Sequence, residues 1–390
     1  MFPSIEVILD NIFISLNQPD ALFENASLKR DILLFKFIYF KYRNIIDQQD
    51  LFAEGIQDLA ERTIAMNEVS ICSGRAGAKW FMIYLSENGL IDEEDIELIC
   101  NDDISLGNIS LKMIKDGNYD FLHGSLGIAY YLLKRNENWK QTFFAEYFVQ
   151  LNLLKSKSIS GNVIPGYDLL KGILKPDEVN FGMAHGLISV IKFCIQCYRQ
   201  GVCREEAQQL AEYLISYMLD NKNRDSSKSF FPYAIYENKS GDSYSRLAWC
   251  YGDLSIGYIF YEAALLFNNK DVEEFALKVL KHCSGRTDLR LNQIYDAGFC
   301  HGSAGVAHIF NRMWHKTGDV DFSIACDYWI NATISFSKYE NGVGGFKAFT
   351  NIGGVYENNY TMLEGGAGIG MVLYSYLTGD FSWDYCLMLN

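Results

Sequence analysis

Proline is scarce, with five in 390 residues. So few ring-locked positions remove the usual breaks in regular structure and predict a mainly helical chain. Basic residues are the minority sign: 34 Lys and Arg stand against 48 Asp and Glu, a net charge of −14. That balance disfavours nucleic acid or an anionic membrane surface as partner. No apolar run is long enough for a bilayer; the most apolar helix-like stretch, residues 251–267, carries Asp253 and Glu262. The N-terminus lacks a basic segment and a small-residue cleavage site, so no signal peptide is predicted and the expected location is cytoplasmic. What the chain has is a large apolar share, 49% against 21% charged, which suits a soluble protein with a sizeable core.

Ten cysteines are present. Without a secretory signal they read as reduced thiols rather than a disulfide framework. Most should be buried as small hydrophobes.

A short glycine-containing segment followed by an apolar helical run recurs six times, at Gly74, Gly124, Gly186, Gly252, Gly302 and Gly365, with spacings of 50, 62, 66, 50 and 63 residues. Between copies lie amphipathic helices. Residues 203–220 place Ala207, Leu210, Ala211, Leu214 and Met218 on one stripe, and residues 271–283 do the same through Phe275, Val279 and Leu280. The glycine-led helices are apolar nearly all round and should be buried on both sides. Alternation of the two kinds predicts an all-α fold, an α/α toroid of six to seven helical hairpins, over a single domain spanning 1–390. Residues 1–70 are expected to supply further helices, for example 28–42, packing on the ring. Residues 136–180 leave little room for an inserted domain. In such a ring every copy starts at one end, so the residues beside the glycines converge on one mouth.

Those residues differ between copies. Cys250 precedes Tyr251-Gly252, and Cys300-His301 precedes Gly302; His185 and His123 precede Gly186 and Gly124, with Asp120 just upstream. Two thiolates and an imidazole from neighbouring copies suit tetrahedral zinc, and three protein donors rather than four is the catalytic pattern. A single cysteine beside a glycine more often fills space. Two in equivalent places of neighbouring repeats, one followed by His301, favour zinc bound by Cys250, Cys300 and His301. The Cys194-x-x-Cys197 pair, with Cys203 nearby, lies in an apolar helix without a second pair and reads as core. His282, His308 and His315 read as structural or exposed. His123 occupies a mouth position with either a positional or a catalytic role.

The run Ala248-Trp249-Cys250-Tyr251-Gly252, with Cys300-His301-Gly302 and Ala184-His185-Gly186, resembles the lanthionine synthetase C-like family, the cyclases of lanthipeptide biosynthesis, from about residue 70 onward. The resemblance implies an α/α toroid with one zinc. The implied activity is addition of peptide cysteine thiols to dehydroalanine or dehydrobutyrine, forming thioether rings. By motif position it implies Cys250, Cys300 and His301 as zinc ligands and His185 as acid/base. Asp120, Arg246 and Tyr251 match the remaining active-site positions. Two departures lie past these residues: Ser189 stands where many relatives have Gly, and the fourth copy continues Asp253-Leu254-Ser255 rather than with Pro-Gly.

This chemistry needs such residues. A free thiol has a pKa near ~8.5 and is mostly protonated at neutral pH, whereas zinc removes a ligand thiol's proton. Attack at the alkene carbon moves charge onto the peptide carbonyl, where a cation such as Arg246 would hold it. His185 would protonate the carbon, and Asp120 would orient that histidine. The implied partners are a dehydrated precursor peptide with its leader and a separate dehydratase, with an exporter as a further candidate. At this length the expectation is a stand-alone cyclase. Competing readings are a zinc-retaining glutathione- or peptide-binding relative without cyclisation, and a prenyltransferase-like barrel. An Asp-Cys-His ligand set would mark the barrel.

Overall fold

The computed structural model describes residues 3–17, 25–45, 49–236, 241–350 and 353–390. Among them run α1 (Ile5–Leu16), α2 (Ala26–Arg43), α3 (Gln49–Ala65), α4 (Arg75–Glu87), α5 (Glu93–Ile99), α6 (Asp103–Lys115), α7 (Ser125–Leu132) and α8 (Lys140–Leu154). They are followed by α9 (Leu187–Arg199), α10 (Arg204–Asp220), α11 (Asp253–Phe267), α12 (Lys270–Ser284), α13 (Ser303–Thr317), α14 (Val320–Ser335) and α15 (Gly366–Thr378). None of these is long and apolar enough to cross a membrane.

Every glycine of the repeat is an N-cap: Gly74 of α4, Gly124 of α7, Gly186 of α9, Gly252 of α11, Gly302 of α13 and Gly365 of α15. These six helices are buried all round; residues 187–197 of α9 and 303–313 of α13 include no exposed position. By contrast α10 and α12 bury one stripe each, including Ala207, Leu210, Ala211, Leu214 and Met218 in the first and Val279 and Leu280 in the second. Phe275 is only half-buried, its ring set edge-on to Phe230 at 5.7 Å.

Successive glycine-led helices pack against one another, α4 on α7, then α9, α11, α13 and α15. The ring closes through α2, which packs on both α15 and α4. The sequence placed the N-terminal helices on the ring; α2 is instead a seventh member within it. It has no glycine motif and starts from Asn25, whose side chain accepts a hydrogen bond from Ser27 N. A buried ion pair fastens it: Arg30 Nη2 lies 2.6 Å from Asp31 Oδ1. Arg30 Nη1 donates to Ile71 O at 2.9 Å, while Asp31 Oδ2 accepts from Met362 N at 2.8 Å. One helix thus ties the loops that lead into α4 and α15. The result is an α/α toroid.

The hole of the toroid is filled by residues 382–389. Trp383, Asp384, Leu387, Met388 and Leu389 are all buried there. Tyr385 stacks on Tyr130 of α7 at 4.6 Å, and Asp384 accepts from Arg312 and pairs with His308 of α13 at 2.9 and 2.7 Å. Three short antiparallel strand pairs decorate the loops: β1 (Gly166–Asp168) with β2 (Ile173–Lys175), β3 (Glu178–Asn180) with β4 (Ala234–Tyr236), and β5 (Ala348–Thr350) with β6 (Val355–Glu357). The helical periodicity carried no signal for them. The first pair and β3 fall within residues 136–180.

The glycine starts are enforced by crowding. A Cβ on Gly302 would run into the backbone N of Gly298 and the carboxylate of Asp296. Gly302→Ala is therefore expected to lose about 3 kcal/mol of stability through backbone displacement. Gly285→Ala, where a Cβ meets only His282 O at 3.6 Å, should change little. Thermal unfolding of the two variants checks this.

Candidate functional site

The residue before each glycine, namely Ser73, His123, His185, Tyr251, His301 and Glu364, stands at the same end of the ring. Backbone hydrogen bonds lace these loops together: Cys72 N to Leu122 O at 3.1 Å, Ala184 N to Cys250 O at 3.3 Å, Cys250 N to Cys300 O at 3.2 Å and Cys300 N to Leu363 O at 2.7 Å. Between the second and third loops the described residues make no such bond. Side chains supply the link, with His185 Nδ1 lying 2.6 Å from Asp120 Oδ2.

A local rule underlies the loops. Six residues before the glycine stand Glu68, Asn118, Asn180, Asp296 and Asn359, whose side-chain oxygens each accept from the backbone N–H two residues on. This turn chemistry arranges the backbone ahead of the helix. The fourth copy breaks the rule with Arg246. There Gly252 takes φ +102°, whereas the other five cap glycines have negative φ. Only a residue without a Cβ enters that region easily. The side chain freed from turn duty points into a cleft.

That cleft, of ≈ 480 Å³, is lined by His185, Arg246, Cys250, Tyr251, Cys300 and His301, and by Tyr233, Tyr244, Ser245 and Gln293. At its floor the donor atoms of Cys250, Cys300 and His301 lie within 4.8 Å of one another. Cys250 is buried, while Cys300 and His301 are half-buried and face the cleft. Two sulfurs and an imidazole nitrogen, with one side open, form a donor set that fits a zinc-sized, thiophilic ion. The pair of sulfurs behaves as one titrating unit. A hydrogen bond from Cys300 holds Cys250 well below the ordinary thiol range, and the same bond with burial pushes Cys300 well above it. The His301 pKa is raised by its hydrogen bond to Cys250.

His185 is half-buried and Asp120 fully so. Burial works against the charged imidazole, yet the hydrogen bond and charge of Asp120 outweigh it, and the His185 pKa is raised. The Tyr251 ring lies 6.2 Å from that of His185, and its hydroxyl accepts from Asn180 Nδ2 at 3.2 Å. Burial lifts the Tyr251 phenol to about 12. Arg246 Nη2 donates to Gln293 Oε1 at 3.3 Å, and among the described residues the guanidinium has no carboxylate partner. All seven sequence-selected residues thus gather in one place, six on the cleft wall and Asp120 behind His185.

Tyr233, Tyr244 and Gln293 were not legible in the sequence. They sit in irregular stretches, and Tyr233 reaches the rim because Phe181 N bonds Tyr233 O at 3.0 Å beside the β3–β4 pair. Asn180, which bridges two loops, could have been found from the position six before each glycine. Cys194 and Cys197 are fully buried on α9, their thiols pushed up by burial, away from the cleft. The two departures are absorbed locally, since Ser189 and Ser255 both turn their hydroxyls onto the carbonyl of their own cap glycine, at 2.7 and 3.2 Å.

The chain is similar to the solved structure of nisin cyclase at TM-score 0.70 and 18% identity, covering 99% of this chain and 96% of that one. A possible member of the GH105 family from Salmonella enterica matches at TM-score 0.47 and 11% identity, covering 99% and 93%. Residues 37–388 match the profile of the lanthionine synthetase C-like protein family, which begins inside α2 rather than near residue 70. With that span, the chain belongs to the lanthionine synthetase C-like family.

Proposed function

We propose that this chain is a zinc-dependent lanthipeptide cyclase, adding cysteine thiols of a dehydrated precursor peptide to its dehydroalanine or dehydrobutyrine residues. The observation that carries the reading is one cleft holding the Cys250, Cys300 and His301 donors together with the His185–Asp120 pair and Arg246, which has no carboxylate partner among the described residues. One zinc per chain would be held by those three donors. When bound, it would supply a Lewis acid that lowers the pKa of a substrate thiol in the open fourth position.

The remaining steps belong to the chain's own side chains. As the substrate sulfur bonds to the alkene carbon, the C=C pair shifts toward the peptide carbonyl, whose oxygen gains negative charge. Arg246, which lines the cleft, would receive that charge. His185, with Nδ1 fixed by Asp120, then gives a proton from Nε2 to the adjacent carbon. The thiol's proton leaves to solvent, so the addition balances. Tyr251, anchored by Asn180, flanks His185 and narrows its approach.

The reading requires that a dehydrating activity first make the dehydro residues in the precursor peptide. The test is to mix the zinc-loaded protein with a dehydrated peptide and then alkylate free thiols. Cyclisation leaves the peptide mass unchanged and protects its cysteines from alkylation. A peptide that takes up one alkyl group per cysteine after incubation would sink the proposal.

A further inference from the structure

His123 occupies in the second loop the position that His185 occupies in the third. The two imidazoles lie nearly parallel, centroids 6.5 Å apart with 15° between planes. One carboxylate holds the His185 ring and the His123 backbone: Asp120 Oδ2 pairs with His185 Nδ1 at 2.6 Å, and Asp120 Oδ1 accepts from the His123 backbone N–H at 2.7 Å. His123 is exposed, and among the described residues its ring nitrogens bond nothing. His185 is inset, paired with Asp120 and flanked by the Tyr251 ring.

We propose that His123 is the solvent-side partner of His185, returning a proton to it after each addition. This rests on the cyclase reading above. With Nδ1 committed to Asp120, His185 gives its Nε2 proton to carbon and must be refilled at that nitrogen. A substrate peptide seated in the cleft covers the direct approach from solvent. On this proposal one water between the two rings, whose centroids are 6.5 Å apart, carries the proton from His123 to Nε2. His123, at the mouth, recovers it from solvent, where the thiol's proton was released. No proton is gained or lost over the cycle. His123 therefore acts through His185 rather than on the substrate.

The test uses a synthetic peptide carrying one cysteine and one dehydroalanine, with the zinc-loaded full chain. His123→Phe keeps a flat ring against His185 without a transferable proton, and His123→Gln keeps polarity. Both should bind zinc and fold as wild type, and both should cyclise at least ~10-fold more slowly in low buffer, with KM little changed. Added imidazole should restore most of the rate, a response that a purely structural role would not give. Wild-type rates in either variant, or a loss that imidazole does not restore, overturn the proposal. A wild-type protein that leaves the peptide uncyclised refutes the cyclase reading instead.

Discussion

Cys300→Ala should bind almost no zinc and should not cyclise a dehydrated peptide, while keeping its helicity. The expectation follows from the donor count. Three side-chain atoms lie within 4.8 Å of one another, and removing one leaves a thiolate and an imidazole. Loss of a partner that only orients a ligand typically costs ~10–100-fold in affinity, so loss of a donor should exceed that. Cys300 stands two residues before its cap glycine, outside the regular part of α13. Its backbone bonds, to Leu363 O and from Cys250 N, survive the substitution. Elemental analysis of the purified variant beside wild type, with circular dichroism, reads both halves of the claim. Cys194→Ala is the companion, because that thiol is buried on α9 away from the cleft and should leave zinc stoichiometric. Full zinc in Cys300→Ala, or lost zinc in Cys194→Ala, would remove the ligand assignment.

His185→Asn should keep zinc and fold but slow cyclisation by ~10²–10⁴, the range for a lost general acid or base. The pH response carries more information than the rate. Burial lowers the His185 pKa, but Asp120 raises it further, so the acid form persists above the ordinary value of 6.5. Activity that depends on this acid is retained below the raised pKa and falls as pH climbs through it. Asp120→Asn removes the raising partner, so the alkaline fall should move to lower pH. The same linkage acts on stability: the pair contributes fully below the unfolded-state pKa and fades as pH rises through the folded one. Arg246→Ala should cost about 3 kcal/mol of transition-state stabilisation with zinc retained. Combined with His185→Asn the losses need not add, since both act on one transition state. An Asp120→Asn profile that overlays wild type would show that the pair does not set the reacting proton.

Much of this architecture was legible because it is local. A glycine followed by residues apolar on every side encodes a helix start in a crowded layer, and six such starts stand at Gly74, Gly124, Gly186, Gly252, Gly302 and Gly365. The stripe of α10 was readable for the same reason, since 3.6-residue periodicity is set by the helix itself. Once the starts were known to share one end, the residues preceding the glycines had to meet, and with them Cys250, Cys300 and His301. The seventh ring helix was not legible. α2 lacks the glycine and is recruited by the Arg30–Asp31 pair reaching Ile71 and Met362, contacts far from it in sequence. Nor could periodicity announce that residues 382–389 fill the hole, because a segment surrounded by other helices needs no repeat of its own.

The sequence by itself determined that the six glycine-led helices are inner and that helices such as α10 and α12 are outer, and the chemical character of the mouth. Those follow from backbone geometry and apolar spacing within each copy. Only the tertiary structure decided which mouth residues touch. Asp120 reaches His185 across 65 positions because two loops that share no backbone bond among the described residues are drawn together by the ring. Arg246 faces the cleft because its loop alone gave up the side-chain turn and took Gly252 into positive φ. Such contacts depend on closure of the whole ring, which fixes distances between copies that no single copy encodes.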